Sequence, residues 1–386
     1  MKAHAKLSPS AAHRWLSCTA SPTLEAQYEA TTSEYAEEGT FAHSLAELCT
    51  SYALGKIKTR SYNARLNKMK QNDFFNQEMM DAAEEYAGYI KETYLAISET
   101  CPDAVVELET KLDLTDYIPE SFGTADCIIV GEPNMWVIDF KYGKGVKVEA
   151  EGNPQMEIYA LGAISKYGAL YDIQRVNMTI VQPRLGGISS YGMDTSALRA
   201  WAAIHIIPLA REAFEGPGHF RPSEETCKFC RAKQDCKARA DHYVALFDDN
   251  PDADLLTPEE AGELLELADG MKEWLEDLKA KVTGCLLSGT PVPGWKLVEG
   301  RSNRQFTDED MVTQILKDET DLEPDEIFNI KLAGITQYEK LLGKKKVNEL
   351  LGEYIIKPEG RPQLAPASDK RPEIFPADKI VDAFDE

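Results

Sequence analysis

The strongest constraint on this chain lies in residues 124–145, where two short apolar runs flank a tight reversal and carry acids at the same end of the pair. Asp126 opens the first run (Cys127, Ile128, Ile129, Val130), and Gly131-Glu132-Pro133-Asn134 turns the chain. Met135, Trp136, Val137 and Ile138 then lead to Asp139, Phe140 and Lys141. Apolar runs of this length around a Pro-containing turn predict a hairpin. Side chains alternate along a strand, so Asp139 and Lys141 share a face while Phe140 points into the core. Two carboxylates converging on one point repel unless a cation lies between them, and hard oxygen donors select Mg²⁺ or Mn²⁺. A lysine two residues past such a ligand is placed to orient or deprotonate an attacking water. An ordinary hairpin with solvated acids carries the same pattern, so the neighbours matter.

Upstream, Glu37–Leu48 has helical periodicity, with Phe41, Leu45 and Leu48 on one stripe and His43 and Glu47 four residues apart on another. An imidazole and a carboxylate on one helical face can complete a metal shell; a surface His–Glu pair has the same spacing. Downstream, Asn153-Pro154 starts a helix on which Gln155 and Tyr159 lie one turn apart. An amide and a phenol there can hold a phosphate or a base, although ordinary helix residues share that spacing. Three of the eight cysteines form Cys227-x₂-Cys230-x₅-Cys236, and Cys18 lies near the amino terminus. Close cysteine spacing without a secretory signal reads as a metal site, with zinc and iron–sulfur both open on the ligands alone. Cys49, Cys101, Cys127 and Cys285 sit in apolar settings and read as free thiols.

The ordered set His43, Asp126, Asp139-Phe140-Lys141 and Gln155-x₃-Tyr159 resembles the RecB-type branch of the PD-(D/E)XK nuclease superfamily. That resemblance implies an α/β fold with a restriction-endonuclease-like core, a mixed sheet flanked by helices. It implies that His43, Asp126, Asp139 and the Phe140 carbonyl bind Mg²⁺ or Mn²⁺ and that Lys141 serves the nucleophilic water. Glu47 joins the catalytic group, and Gln155 and Tyr159 contact DNA. Asp139 stands where many relatives carry Glu. The cysteines resemble those of iron–sulfur RecB-like nucleases, including AddB-type and CRISPR-associated members. By that likeness Cys18, Cys227, Cys230 and Cys236 hold a structural [4Fe–4S] cluster that staples the two ends of the core. The whole chain is similar to a phage and prophage group of RecB-like proteins.

Charge qualifies the DNA-binding expectation. The net charge of −23 argues against a protein that coats nucleic acid generically, yet residues 241–386 concentrate it, with 33 acidic against 17 basic residues. Lys56, Lys58, Arg60, Arg65, Lys68 and Lys70 form a basic cluster in the first part, suited to phosphates and equally to a solvated helix face. Salt confines fields to roughly 8 Å, so a local groove can still bind DNA. With no apolar stretch of membrane length and no secretory leader, the expected location is the cytoplasm of a bacterial host.

Periodicity predicts helices at 34–55, 75–98, 154–168 and 194–214, and strands at 104–112, 123–130, 134–141 and 175–183. It predicts helical structure over 240–286 and a strand at 294–299. The domains expected are a nuclease core over 1–247, an acidic helical or α+β accessory region over 248–360 and a loosely ordered tail over 361–386. The function expected is a metal-dependent deoxyribonuclease, an exonuclease on DNA ends in phage recombination or repair by family likeness alone. Its partners would be linear or single-stranded DNA and a single-strand-binding or recombination protein, with oligomers allowed. The rival readings are a nuclease-like fold that binds DNA or a partner without cutting, and an iron–sulfur redox or sensor protein.

Overall fold

A computed structural model describes residues 5–29, 33–248, 258–298, 309–319, 328 and 334–355. The tail expected over 361–386 lies outside the described residues. The chain forms two compact units, Met1–Pro291 and Val292–Glu386. The first is mixed α/β, built on a five-stranded sheet whose spatial order follows the chain: β1 (Val105–Asp113), β2 (Phe122–Gly131), β3 (Asn134–Phe140), β4 (Arg175–Gln182) and β5 (Gly187–Asp194). All neighbours pair antiparallel except β3 and β4, which are parallel and joined through the helix Pro154–Tyr167. A parallel pair requires such a crossover, and this one lays the helix on a sheet face beside the end of β3.

The sheet separates two apolar cores. One packs Ile128, Val130, Met135 and Val137 against the crossover helix and against Trp15 of the helix Ala12–Ser17. The other packs Cys127, Ile129, Ile138 and Phe140 against Leu45 of Glu34–Ala53 and Met79 and Ile90 of Gln77–Thr100. Three helices that flank the site carry side-chain caps: Ser33 accepts from Ala36 N–H, Asn76 from Met79 N–H, and Asn153 from both Gln155 and Met156 N–H, with Pro154 in the first turn. Each cap satisfies amides that the first helical turn leaves without intrahelical partners.

The strand alternation slips once, beside the candidate site. On β1, Val106 and Leu108 face the core containing Phe140, whereas Leu112, of the same parity, faces the other. On β2, Cys127 and Ala125 are divided in the same way. No residue is inserted, because the register runs from Leu108↔Cys127 directly to Thr110↔Ala125. The change of face falls at Glu109, whose φ is 46°, and at Asp126 opposite it.

Sequence periodicity missed β5 (Gly-Ile-Ser-Ser-Tyr-Gly-Met-Asp), whose glycine and serine content gives weak strand propensity. It forms because it pairs along the outer edge of β4. A helix at Thr59–Met69 also goes beyond the basic segment read there. No strand forms over the described part of the stretch expected at 294–299: Gly294 closes a turn and residues 295–298 have no regular secondary structure, with Trp295 and Val298 exposed. An apolar run without an adjoining sheet edge has no partner for its backbone. The helix Pro258–Leu287, read from sequence as accessory, belongs to the first unit. The second unit contains the helices Glu309–Glu319, Ile335–Leu342 and Lys344–Leu351. Among the described residues no helix is long and apolar enough to cross a membrane.

Candidate functional site

At the end of the hairpin five side chains form two adjoining polar sets, one of His43 and Asp126 and one of Asp139, Lys141 and Gln155. His43 projects from Glu34–Ala53 so that its Nδ1 lies 3.1 Å from Asp126 Oδ1 on β2. The other oxygen of Asp126 accepts the Phe140 backbone N–H at 2.8 Å, which fixes the carboxylate against β3. Asp139 is 4% exposed; its Oδ1 accepts from Gln155 Nε2 at 3.2 Å, and its Oδ2 lies 3.1 Å from Lys141 Nζ. Lys141 also donates to Gln155 Oε1 at 3.1 Å, so the amide spans acid and base and fixes their relative positions. Phe140 turns the opposite way and is fully buried, edge-on to the His43 ring.

The charges sustain one another. Burial opposes charging His43, but the Asp126 carboxylate beside it outweighs that cost and raises its pKa to about 9. Burial would likewise raise Asp126, yet the His43 charge and hydrogen bond hold it below the usual carboxylate range. Asp139 differs: burial, reinforced by the Asp126 charge, pushes it up despite Lys141. Lys141 is raised because Asp139 and Asp126 overcome its own desolvation. Asp139 Oδ2 is buried and lacks a well-aligned hydrogen bond, the lysine being near it without meeting donor geometry. That is an acceptor with capacity left for a cation.

The structure adds a residue that sequence analysis passed over as an ordinary strand acid. Donor atoms of His43, Asp126 and Glu109 all lie within 4.8 Å of one another. Glu47 lines the same cleft from an exposed position. Tyr159, expected to touch DNA, is 8% exposed and belongs to the core on the crossover-helix side; a Cβ on Gly123 would meet its ring at 2.7 Å. Burial raises its phenol, with Asp139 and Asp126 adding to the shift. Lys56 donates to the Val106 carbonyl at 2.7 Å and is thereby tied to β1, whereas Lys58 immediately precedes, and Arg60 sits in the first turn of, the helix Thr59–Met69.

The cysteines converge as well. Cys18, Cys227, Cys230 and Cys236 line one cavity together with Leu24, Phe220 and Pro222, and none is in a disulfide. Backbone and side-chain bonds tie the two contributing segments: Thr19 Oγ1 donates to Glu212 (2.5 Å) and accepts from His219 N–H (2.7 Å), and Glu25 accepts from Arg231 N–H (2.9 Å). Tyr28 donates to Asp235 at 2.8 Å. The helix Pro258–Leu287 packs against this module through Glu273 with Lys233, Asp277 with the buried Arg239, and Lys281 with Asp235.

A family model, DUF2800, described as a protein of unknown function, matches residues 4–372. The chain belongs to the DUF2800 family. Both the polar sets and the cysteine cavity therefore lie within the DUF2800 match. A solved structure described as the crystal structure of SSO0001 is 15% identical and covers 50% of this chain and 85% of its own, with a TM-score of 0.25.

Proposed function

We propose that this DUF2800 protein is a metal-dependent deoxyribonuclease of the PD-(D/E)XK, RecB-like type, acting on DNA ends and carrying a structural [4Fe–4S] cluster. The observation that carries the reading is the pair of side-chain sets, His43 with Asp126 and Asp139 with Lys141 and Gln155, brought side by side at the end of β3 where the Phe140 amide donates to Asp126. The donor set fits a hard divalent cation: carboxylates and one imidazole, with Asp139 Oδ2 buried and poorly satisfied. His43, Asp126 and Asp139, with the Phe140 carbonyl, would hold it. Bound Mg²⁺ or Mn²⁺ supplies Lewis-acid polarisation of a scissile phosphate and makes a water more acidic.

The protein's own groups divide the remaining work. Lys141 presents an ammonium at the carboxylates, where it orients the attacking water and offsets charge developing on the phosphate. Gln155 keeps the Lys141 and Asp139 side chains in register, so neither needs to reorganise when substrate enters. Asp126, braced by the Phe140 amide, gives the site a fixed negative edge.

The cysteine cavity supports the cluster. Cys18 lies more than 200 positions from Cys227, Cys230 and Cys236, and the four thiols share the cavity with apolar side chains. A single tetrahedral zinc holds thiolates roughly 3.8 Å apart, given Zn–S bonds of about 2.3 Å.

The test is incubation of purified protein with end-labelled linear and circular DNA in Mg²⁺ or Mn²⁺. Metal-dependent degradation of linear DNA alone is expected; intact DNA under all metal conditions would overturn the nuclease reading. Anaerobically prepared protein should be brown, absorb near 400 nm and contain iron. Zinc without iron would replace the cluster and leave the nuclease reading standing.

A further inference from the structure

We propose that Glu109 is a ligand of the same divalent cation as His43 and Asp126, and that the slip in strand alternation on β1 exists to aim its carboxylate there. The inference rests on the metal-site reading above and extends it to a residue outside the motif set.

Three independent observations converge on Glu109. Its carboxylate lies within 4.8 Å of donor atoms of His43 and Asp126. Its backbone adopts φ 46° inside a strand, a left-handed conformation that residues with a side chain avoid. The flanking pairs Leu108↔Cys127 and Thr110↔Ala125 keep register, which puts Glu109 opposite Asp126.

Geometry supplies the reason. In a regular antiparallel pair, directly opposed residues project from the same sheet face, and two carboxylates placed there repel. The left-handed residue switches β1 from one core to the other without an insertion, so the acids meet where the faces exchange. That point is also where His43 reaches the sheet and where the cleft containing Glu47 opens. Asp139 lies close enough for the Asp126 charge to act on it, and its buried Oδ2 faces Lys141. Strain of this kind persists where surrounding structure over-determines it, and binding sites are where it collects. A nitrogen donor among carboxylates suits Mn²⁺ at least as well as Mg²⁺ and provides a spectroscopic probe.

The experiment titrates full-length protein with Mn²⁺, following free ion by electron paramagnetic resonance. The chains compared are wild type, Glu109→Gln, Glu109→Asn and Glu107→Gln, the last an exposed acid on the same strand. Asn tolerates left-handed backbone, so Glu109→Asn keeps the fold while removing the charge. The expected result is at least tenfold weaker Mn²⁺ binding in both Glu109 variants and less than twofold change in Glu107→Gln. Unchanged Mn²⁺ affinity in a folded Glu109 variant overturns the proposal, as does wild-type protein that binds no Mn²⁺. A lower melting temperature with unchanged affinity shows a structural strut and overturns it too. Wild type that binds Mn²⁺ through Glu109 yet leaves DNA intact supports the ligand and defeats the nuclease instead, so the two failures are distinct.

Discussion

The polar site and the cysteine cavity are both assembled from distant segments, but they are held together in different ways. In the polar site the functional groups bind one another: Asp126 to His43, Asp139 to Lys141 and Gln155, with charges that cancel within a few ångström. Around the cysteines the bonds are made by neighbours, Thr19 with Glu212 and His219, Glu25 with Arg231 and Tyr28 with Asp235. Acids and bases can preorganise because opposite charges stabilise each other when buried. Thiols have no such mutual attraction, so their positions depend on the scaffold. Substitutions in the first region should therefore remove chemistry and lower stability without changing the fold, because the partner left behind is a buried unpaired charge, while those in the second should act through stability and metal content.

The largest expected effect probes the first half of that contrast. Asp139→Ala and Lys141→Ala should each reduce DNA cleavage by about a hundredfold or more while circular dichroism stays native. Wild-type turnover in either folded variant would remove these residues from the site.

In the cysteine region, Cys18→Ser should lower iron content and melting temperature together. A cross-link closing a loop of this length is worth about 4–5 kcal/mol in the chain-entropy model. Cys49→Ser, altering a buried thiol in the other core, should leave iron unchanged. Full iron in Cys18→Ser would mean that the amino-terminal ligand is a different residue.

Gly218→Ala tests the scaffold without touching a thiol. Gly218 has φ 70°, and a Cβ there would lie 2.4 Å from the Thr19 carbonyl carbon and 2.6 Å from Ala20 N. Backbone must move, at a cost of about 3 kcal/mol from strain and overpacking together. The expected outcome is a lower denaturation midpoint and reduced iron with the polar site's Mn²⁺ affinity retained. Equal loss at both sites would erase the distinction between them.

The smallest effect is expected at Glu157, on the crossover helix beside Gln155. It is 4% exposed, and burial raises its pKa to about 7. The unfolded chain ionises near the ordinary value of 4.5. Between these values the folded state binds more protons, so stability falls as pH rises from about 4.5 to about 7 and is then level. Glu157→Gln should therefore stabilise the protein at pH 8, by about 1–2 kcal/mol once solvent screening is allowed for, and change little near pH 4. A pH-independent difference in melting temperature would show that the carboxyl is not held neutral by burial.

Much of this was legible in the sequence because it depends on local geometry. The two-residue period of a strand puts Asp139 and Lys141 on one face and buries Phe140, and the structure has them 3.1 Å apart with Phe140 in the core. Helical spacing and the Asn153-Pro154 start likewise place Gln155 one turn from Tyr159. The C-x₂-C-x₅-C spacing marked three cysteines as neighbours, and the structure lines one cavity with them and Cys18.

What tertiary structure decided depends on contacts that no local pattern encodes. Glu109 reads as an ordinary alternating strand residue; its left-handed φ and its place opposite Asp126 exist only once β1 and β2 pair. The weak Gly-Ser strand β5 forms only because it pairs with β4. Tyr159 was legible as a helix residue facing the site, but its burial follows from the packing of Pro9, Gly123 and the crossover helix. Periodicity fixes which way a side chain leaves its own backbone; which groups meet there, and how much water they keep, is set by elements far apart in the chain.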